Sequence, residues 1–122
     1  MAVHNQLGKQ GEQYAVDYLL GKGYRILECN YRYARHEVDI IAIKDQVLVV
    51  FEVKTRSSTY FGNPQDFISD KQKKVIIQVI NSYINKNTLD VEVQFDVIAI
   101  VKTSQGNFEI KHIEDAFNIL DG

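Results

Sequence analysis

The stretch Glu37-Val-Asp39-Ile-Ile-Ala42-Ile-Lys44-Asp45-Gln-Val-Leu48-Val-Val50-Phe-Glu52-Val-Lys54 decides the fold. Two runs of β-branched and aliphatic residues flank a short polar pair, the pattern of two strands joined by a tight turn at Lys44-Asp45. Side chains alternate along a strand, so Glu37, Asp39, Ile41 and Ile43 are expected on one face, and Leu48, Val50, Glu52 and Lys54 on another. A two-residue turn at Lys44-Asp45 sets Ile41 against Leu48, Asp39 against Val50 and Glu37 against Glu52, which brings both sets onto one face. Asp39 and Glu52 then stand diagonally, about 5.5–8 Å apart at Cβ, within reach of a shared cation. Two carboxylates and an ammonium are poorly placed for plain solvation beside apolar Leu48 and Val50, and they point to a metal-dependent active site. The simpler alternative is a cross-strand salt bridge of Lys54, worth about 0.2–1 kcal/mol, which accounts for one pair only.

Outward from this hairpin the chain reads as α-β-β-β-α-β with a β-α tail. Leu7 to Leu20 is expected to be an amphipathic helix, with Leu7, Gly8, Gly11, Tyr14, Ala15, Tyr18 and Leu19 on the buried side and Glu12 at its margin. Gly8 and Gly11 weaken that helix by roughly 1 kcal/mol each and allow close approach of another backbone. Gly21 and Gly23 end it. Tyr24 to Tyr31 is the first strand, followed by a polar turn through Arg32 and Arg35. Thr55 to Phe67 reads as a loop with a turn at Gly62-Asn63-Pro64. Ser69-Asp70-Lys71-Gln72 fits a capping box opening a helix that buries Val75, Ile76, Val79, Ile80, Tyr83 and Ile84. Val91 to Val101 is a long buried strand, Phe108 to Ile113 a shorter one, and Glu114 to Leu120 a last helical turn or two.

The 122 residues, 45% hydrophobic and 25% charged, fit one globular domain over residues 1–122. Cys29 stands alone, which excludes an intramolecular disulfide and a Cys-based zinc site and fits a reducing compartment. The N-terminal residues lack an apolar signal core and no run reaches the length of a membrane span, so a soluble cytoplasmic protein without membrane contact is expected. The net charge of −2 is unevenly spread. Lys and Arg exceed Asp and Glu between residues 21 and 86, and the reverse holds beyond. A basic region beside an acidic one permits a polyanion ligand without requiring one. A Gly-rich phosphate loop and a nucleophile elbow are both absent, which disfavours nucleoside triphosphatase and serine hydrolase chemistry.

The element order, with Asp39 and then Glu52-Val53-Lys54 at the end of the third strand, resembles the restriction-endonuclease-like nuclease superfamily. Gly8-Lys-Gln-Gly11-Glu12, Gly23-Tyr24-Arg-Ile-Leu27, Asn30-Tyr-Arg32, Glu37-Val-Asp39-Ile-Ile-Ala42, Val50-Phe-Glu52-Val-Lys54-Thr-Arg56 and Phe61-Gly62-Asn-Pro64 resemble the YraN-like family of bacterial proteins. His36 stands where that family usually has Gly, so the turn before the second strand is expected to differ. The set Glu12, Asp39, Glu52 and Lys54 is also similar to archaeal Holliday-junction resolvases, which implies branched DNA as one substrate class.

These resemblances imply a restriction-endonuclease-like α-β-β-β-α-β core, a mixed central sheet flanked by helices, with Mg²⁺ or Mn²⁺ as cofactor. They place the metal on Asp39, Glu52, the Val53 carbonyl and Glu12, and give Lys54 the task of positioning or activating water. The residue types suit that chemistry. Mg²⁺ takes oxygen ligands at about 2.0–2.1 Å and retains waters, so two carboxylates and a substrate phosphate complete a fitting set. Lys54 adds positive charge where the reacting phosphate gains negative charge. Glu12 has a simpler reading as a carboxylate near a helix start or at a core margin.

Lys71, Lys73 and Lys74 occupy the first turn of their helix, where cations oppose the helix dipole, so a phosphate partner would relieve the conflict. A solvated lysine cluster is the alternative. Arg25, Arg32, Arg35 and Arg56 are further candidates for phosphate contact, and Tyr60 and Phe61 for stacking on bases, although loop packing suits both aromatics better. Gln72 is expected to cap its helix. Asp96 reads as a structural carboxylate bonded to backbone or Arg, and His4, His36 and His112 as incidental.

The expectation is a nucleic-acid-binding protein with Mg²⁺-dependent endonuclease activity, on DNA rather than RNA, with a homodimer allowed. The competing expectation is a non-catalytic nucleic-acid-binding or protein-interaction module that keeps the fold. Divalent-metal binding through Asp39 and Glu52 separates the two.

Overall fold

The computed structural model describes residues 2–57 and 68–118, with side chains from Gln6 onward. Tyr60, Phe61 and the Gly62-Asn63-Pro64 turn lie outside the described residues, as do the His4 side chain and residues 119–122. The elements are α1 (Ala2–Gly21), β1 (Arg25–Tyr33), β2 (His36–Lys44), β3 (Val47–Arg56), α2 (Asp70–Asn87), β4 (Glu92–Lys102) and β5 (Phe108–Phe117). They form a mixed α/β architecture whose single five-stranded sheet has the order β1-β2-β3-β4-β5. β3 and β4 run parallel, with α2 between them in the chain, and the other neighbours are antiparallel.

The central hairpin turns at Asp45-Gln46, one residue later than its sequence implies. Asp45 and Gln46 both have positive φ, 52° and 66°. Left-handed conformations at both central residues match the right-handed twist of the flanking strands. Lys44 stays in β2, where its ammonium lies 4.9 Å from the Tyr24 ring centre. Ile43 therefore pairs with Leu48 and Ile41 with Val50, each partner displaced by two residues from the expected register. A shift of two conserves parity, so odd residues of β2 still oppose even residues of β3.

The two faces of the sheet bury separate cores. Ile40, Ala42, Val49, Phe51, Ile98 and Ile100 pack with Ala15 and Leu19 of α1. Ile41, Leu48, Val50, Phe95 and Val97 pack with Ile76, Val79, Ile80 and Tyr83 of α2. Residues 95–101 of β4 are all buried, as their continuous apolar run requires for a strand covered on both faces. α2 opens with the full capping box: Gln72 N–H donates to Ser69 Oγ and the Ser69 N–H to Gln72 Oε1. It ends at Thr88, in the left-handed conformation.

Three expectations need correction. α1 begins at Ala2, five residues before Leu7. Tyr14 is 36% exposed, its hydroxyl donating to the Phe108 carbonyl while its ring packs on Phe108. The predicted last helix is absent over residues 114–117, where β5 continues to Phe117. Between the pairs Val97↔Ile113 and Phe95↔Phe117, β5 carries two extra residues in a bulge, with Asp115 at φ 53°. Helical phasing of these residues yields to two tertiary contacts. Phe117 is buried and stacks on Phe95 with ring centres 4.7 Å apart, and the Asp115 N–H donates to buried Asp96. Among the described residues no helix is long and apolar enough to cross a membrane.

Candidate metal centre at the open end of the sheet

Pairing between β2 and β3 stops at Ile40↔Phe51, so Asp39 and Glu52 are the first residues past the end of the ladder. Strict alternation also stops there. Val38 joins Ile41 in the core under α2, so Asp39 does not follow Ile41 onto that face as expected. β1 deviates at the same level. Asn30, between the pairs Cys29↔Ile40 and Tyr31↔Val38, stands opposite Asp39 in a left-handed conformation with φ 55°. Released from one neighbour and kinked beside the other, β2 turns Asp39 into a cleft beneath α1. Its Oδ2 accepts the Val53 N–H at 2.7 Å. A strand residue points its N–H and C=O toward the same neighbour. The Val53 carbonyl therefore faces the same open gap.

Glu52 approaches the gap from the α2 side, where it lines a pocket with Lys71 and Gln72, and the Asp39 charge is near enough to act on its carboxyl. Lys54 Nζ lies 3.6 Å from Glu52 Oε1, and these side chains are only 20% and 15% exposed. Burial, followed by the Asp39 charge, pushes the Glu52 carboxyl up to about 8, against the opposing pull of Lys54. Burial also raises Asp39, although the Val53 N–H holds it down. Glu12 is raised by burial and by the charges of Asp39 and Glu37. These upward shifts come first from burial and second from the carboxylates' own mutual repulsion, which a cation would relieve. The donor set, carboxylate oxygens and one carbonyl without sulfur or imidazole, fits Mg²⁺ or Mn²⁺.

Gly11 lets α1 approach β3, which sets Glu12 on the wall of the same cleft as Asp39, although among the described residues Glu12, Asp39 and Glu52 do not gather their oxygens within 4.8 Å of one another. A Cβ at Gly11 would overlap the Thr55 side chain, with Thr55 Cγ2 at 2.8 Å and Cβ at 2.9 Å. Gly8, by contrast, faces open space. Glu12, Asn30, Glu37, Asp39 and residues 53–56 line a cleft of about 420 Å³. One end of the Asn30 amide lies 2.9 Å from both Glu12 Oε1 and Glu37 Oε1; two acceptors there assign that end to the NH₂ group, which donates to both, since the amide oxygen could bond neither. Arg32 Nε also donates to Glu37, at 3.1 Å. The expected Glu37–Glu52 facing pair thus gives way to Glu37 held by β1 side chains.

The candidate phosphate-binding residues do not form one patch. Arg56 is exposed at the cleft and donates to the Thr55 carbonyl. Lys71 lines a neighbouring pocket of about 250 Å³ that includes Glu52, Glu37 and Gln72. Lys73 turns instead to Asp70 at 3.7 Å and to the Phe117 ring at 5.7 Å. Lys74 is exposed.

His112 is not incidental. Its Nε2 lies 2.7 Å from Asp96 Oδ2 and its Nδ1 3.1 Å from the Tyr18 hydroxyl. Asp96, expected to bond backbone or Arg, accepts from the Asp115 backbone, from Gln94 and from His112. Asp96, His112 and Glu114 bring ligand-type atoms within 4.8 Å of one another. Sequence spacing hid this cluster, because the register of β4 against a bulged β5 creates it. Asn30 appeared only within a motif, since nothing local reveals that its amide meets carboxylates from α1 and β2.

The chain matches the Uncharacterised protein family UPF0102 over residues 11–100. It is 55% identical to a UPF0102 protein of Christiangramia forsetii over 117 residues, covering 96% of this chain and 98% of that relative. Over the same length it is 49% identical to one from Flavobacterium psychrophilum, with the same coverage. It is 44% identical to one from Phocaeicola vulgatus, covering 96% of each chain. The chain belongs to the UPF0102 family, the YraN-like family its motifs resemble.

Proposed function

We propose that this UPF0102 protein is a cytoplasmic, nucleic-acid-binding, Mg²⁺-dependent endonuclease with a restriction-endonuclease-like core, hydrolysing DNA phosphodiester bonds. One observation carries the reading: Asp39 and Glu52 are the first residues past the point where β2 and β3 part, with Lys54 Nζ 3.6 Å from Glu52.

Asp39, Glu52 and the Val53 carbonyl would hold the metal, with Glu12 beside them. A bound Mg²⁺ polarises a phosphoryl oxygen and lowers the pKa of attacking water. Asp39 is fixed for its part by the Val53 N–H, so its free lone pairs face the cleft. Lys54 contributes fixed positive charge beside Glu52, at the place where the phosphate becomes more negative. The partly buried setting of Lys54 and Glu52 strengthens these interactions relative to water. Lys71 and Arg56 flank the centre on opposite sides and suit the phosphates on either side of the scissile one.

The deciding experiment presents linear, nicked and branched DNA to the protein with Mg²⁺ or Mn²⁺, alongside Asp39→Asn, Glu52→Gln and Lys54→Ala. Metal-dependent cleavage lost in all three supports the reading. A wild-type protein that cleaves none of them and binds Mn²⁺ no better than the carboxamides defeats it and leaves the non-catalytic module.

A further inference from the structure

We infer that Asn30 is a positioning residue of this centre, holding Glu12 of α1 and Glu37 of β2 in place beside Asp39 without neutralising them. The inference rests on the endonuclease reading. Its observation is that one end of the Asn30 amide lies 2.9 Å from carboxylate oxygens on two different elements, an arrangement only the NH₂ end can satisfy.

A primary amide is well suited to this position. Its NH₂ group has two donors and no charge, so it can tie two carboxylates together at once. An Arg or Lys there would also bind them, but would cancel the negative charge that attracts a cation. Without either, Glu12 and Glu37 would repel each other and Asp39 would repel both. Glu12, borne on a helix, would then turn toward solvent, and the cleft would lose its α1 ligand. The opposite orientation of the amide would set its oxygen against both carboxylates, with no hydrogen bond to either.

The backbone explains why the amide reaches. Asn30 adopts φ 55°, a region that Asn tolerates better than most residues. That conformation swings its side chain out of the regular β1 pattern and into the cleft shared with Glu12, Glu37 and Asp39. Arg32, two residues on, grips Glu37 from outside, so its orientation does not depend on Asn30 alone. Glu12 has no second donor of this kind among the described hydrogen bonds. It is the group that depends on Asn30.

The left-handed backbone also supplies the control. Asn30→Gly removes the amide while relieving backbone strain, whereas Asn30→Ala removes it and adds strain. A role in shaping β1 alone predicts that Asn30→Gly behaves like wild type and Asn30→Ala does not. The positioning role predicts that both weaken Mn²⁺ binding about 10- to 100-fold, as loss of a partner behind a ligand does elsewhere. The Mn²⁺ concentration for half-maximal DNA cleavage should rise by the same factor, and saturating Mn²⁺ should recover most of the maximal rate. Calorimetric titration of Mn²⁺ and metal-dependence of cleavage read these effects. Wild-type Mn²⁺ affinity in Asn30→Gly overturns the role while leaving the endonuclease reading intact. A wild type that binds no Mn²⁺ overturns both.

Discussion

Asp39 and Asp96 lie on the strands flanking β3, and the fold treats them in opposite ways. Asp96 is 1% exposed and accepts hydrogen bonds from Gln94, His112 and the Asp115 backbone, all fixed by the sheet. Asp39 receives one backbone N–H and has the Glu52 carboxyl as a neighbour, while Glu12 and Glu37 line the same cleft. A buried carboxylate with a full complement of donors holds structure together. One held by a single backbone N–H among other carboxylates is suited to a cation.

The sharpest way to break this comparison is through catalysis. Asp39→Asn or Glu52→Gln should lower Mn²⁺-dependent cleavage by about 10²–10³-fold or more, while Asp96→Asn leaves it near wild type. Lys54→Ala should lose cleavage and keep much of the Mn²⁺ affinity, since both carboxylates remain. Single-turnover cleavage with a parallel Mn²⁺ titration checks all four. An active Asp39→Asn would remove the distinction between the two aspartates.

Stability should reverse the ranking. Asp96→Ala strands the donors of His112, Gln94 and Asp115 in a buried site and should cost about 3 kcal/mol. Asp39→Asn removes one of several crowded charges and should leave the apo-protein as stable or more so. Urea denaturation without metal measures both; equal losses would show that Asp39 is as structural as Asp96.

pH sharpens the same contrast more gently. Folding lifts Glu52 from its ordinary 4.5 to about 8, so between those values the folded chain keeps a proton that the unfolded chain has released. The stability it contributes is full below about pH 4.5 and is lost as pH rises through about 8. Asp39 and Glu12, also raised, act in the same direction. Apo-protein Tm should therefore fall from mildly acidic to mildly alkaline pH. Mn²⁺ should abolish that fall, because binding displaces the proton, and Glu52→Gln should flatten it. A Tm that rises over this range would contradict the assignment.

The smallest effect concerns the lysines of α2. Replacing Lys71, Lys73 and Lys74 by Gln should weaken DNA binding and reduce the salt slope by about 1–2 rather than 3, since Lys73 is already turned to Asp70 and Phe117. Affinity measured across a salt series tests it. An unchanged slope would return all three to a solvated surface.

Much of this was legible beforehand, and the misses have physical causes. The Ser69–Gln72 cap, α2 and the β2–β3 hairpin rest on interactions within a few residues, where sequence spacing sets geometry. The turn was misplaced by one residue, which displaced every partner by two and conserved the parity of the pairs, but Asp39 and Glu52 are neighbours because the β2–β3 ladder ends just before them. Residues 114–117 failed as a helix because Phe95 and Asp96, about twenty residues earlier, hold them as strand. Asn30, His112 and the turning of Asp39 away from Ile41 were out of reach for the same reason. Each depends on which strand ends or bulges beside which.

Alternation, capping and turn chemistry are local, so residue order alone specifies α2, the β2–β3 hairpin, the apolar faces of the sheet and the residue types at its acidic end, though not the strand over residues 114–117. Packing alone sets the parting of β2 and β3 after Ile40 and Phe51, the approach of α1 at Gly11, and the three donors on Asp96 against the single backbone N–H on Asp39. Whether a carboxylate is satisfied depends on donors delivered by distant segments, and their delivery is a property of packing.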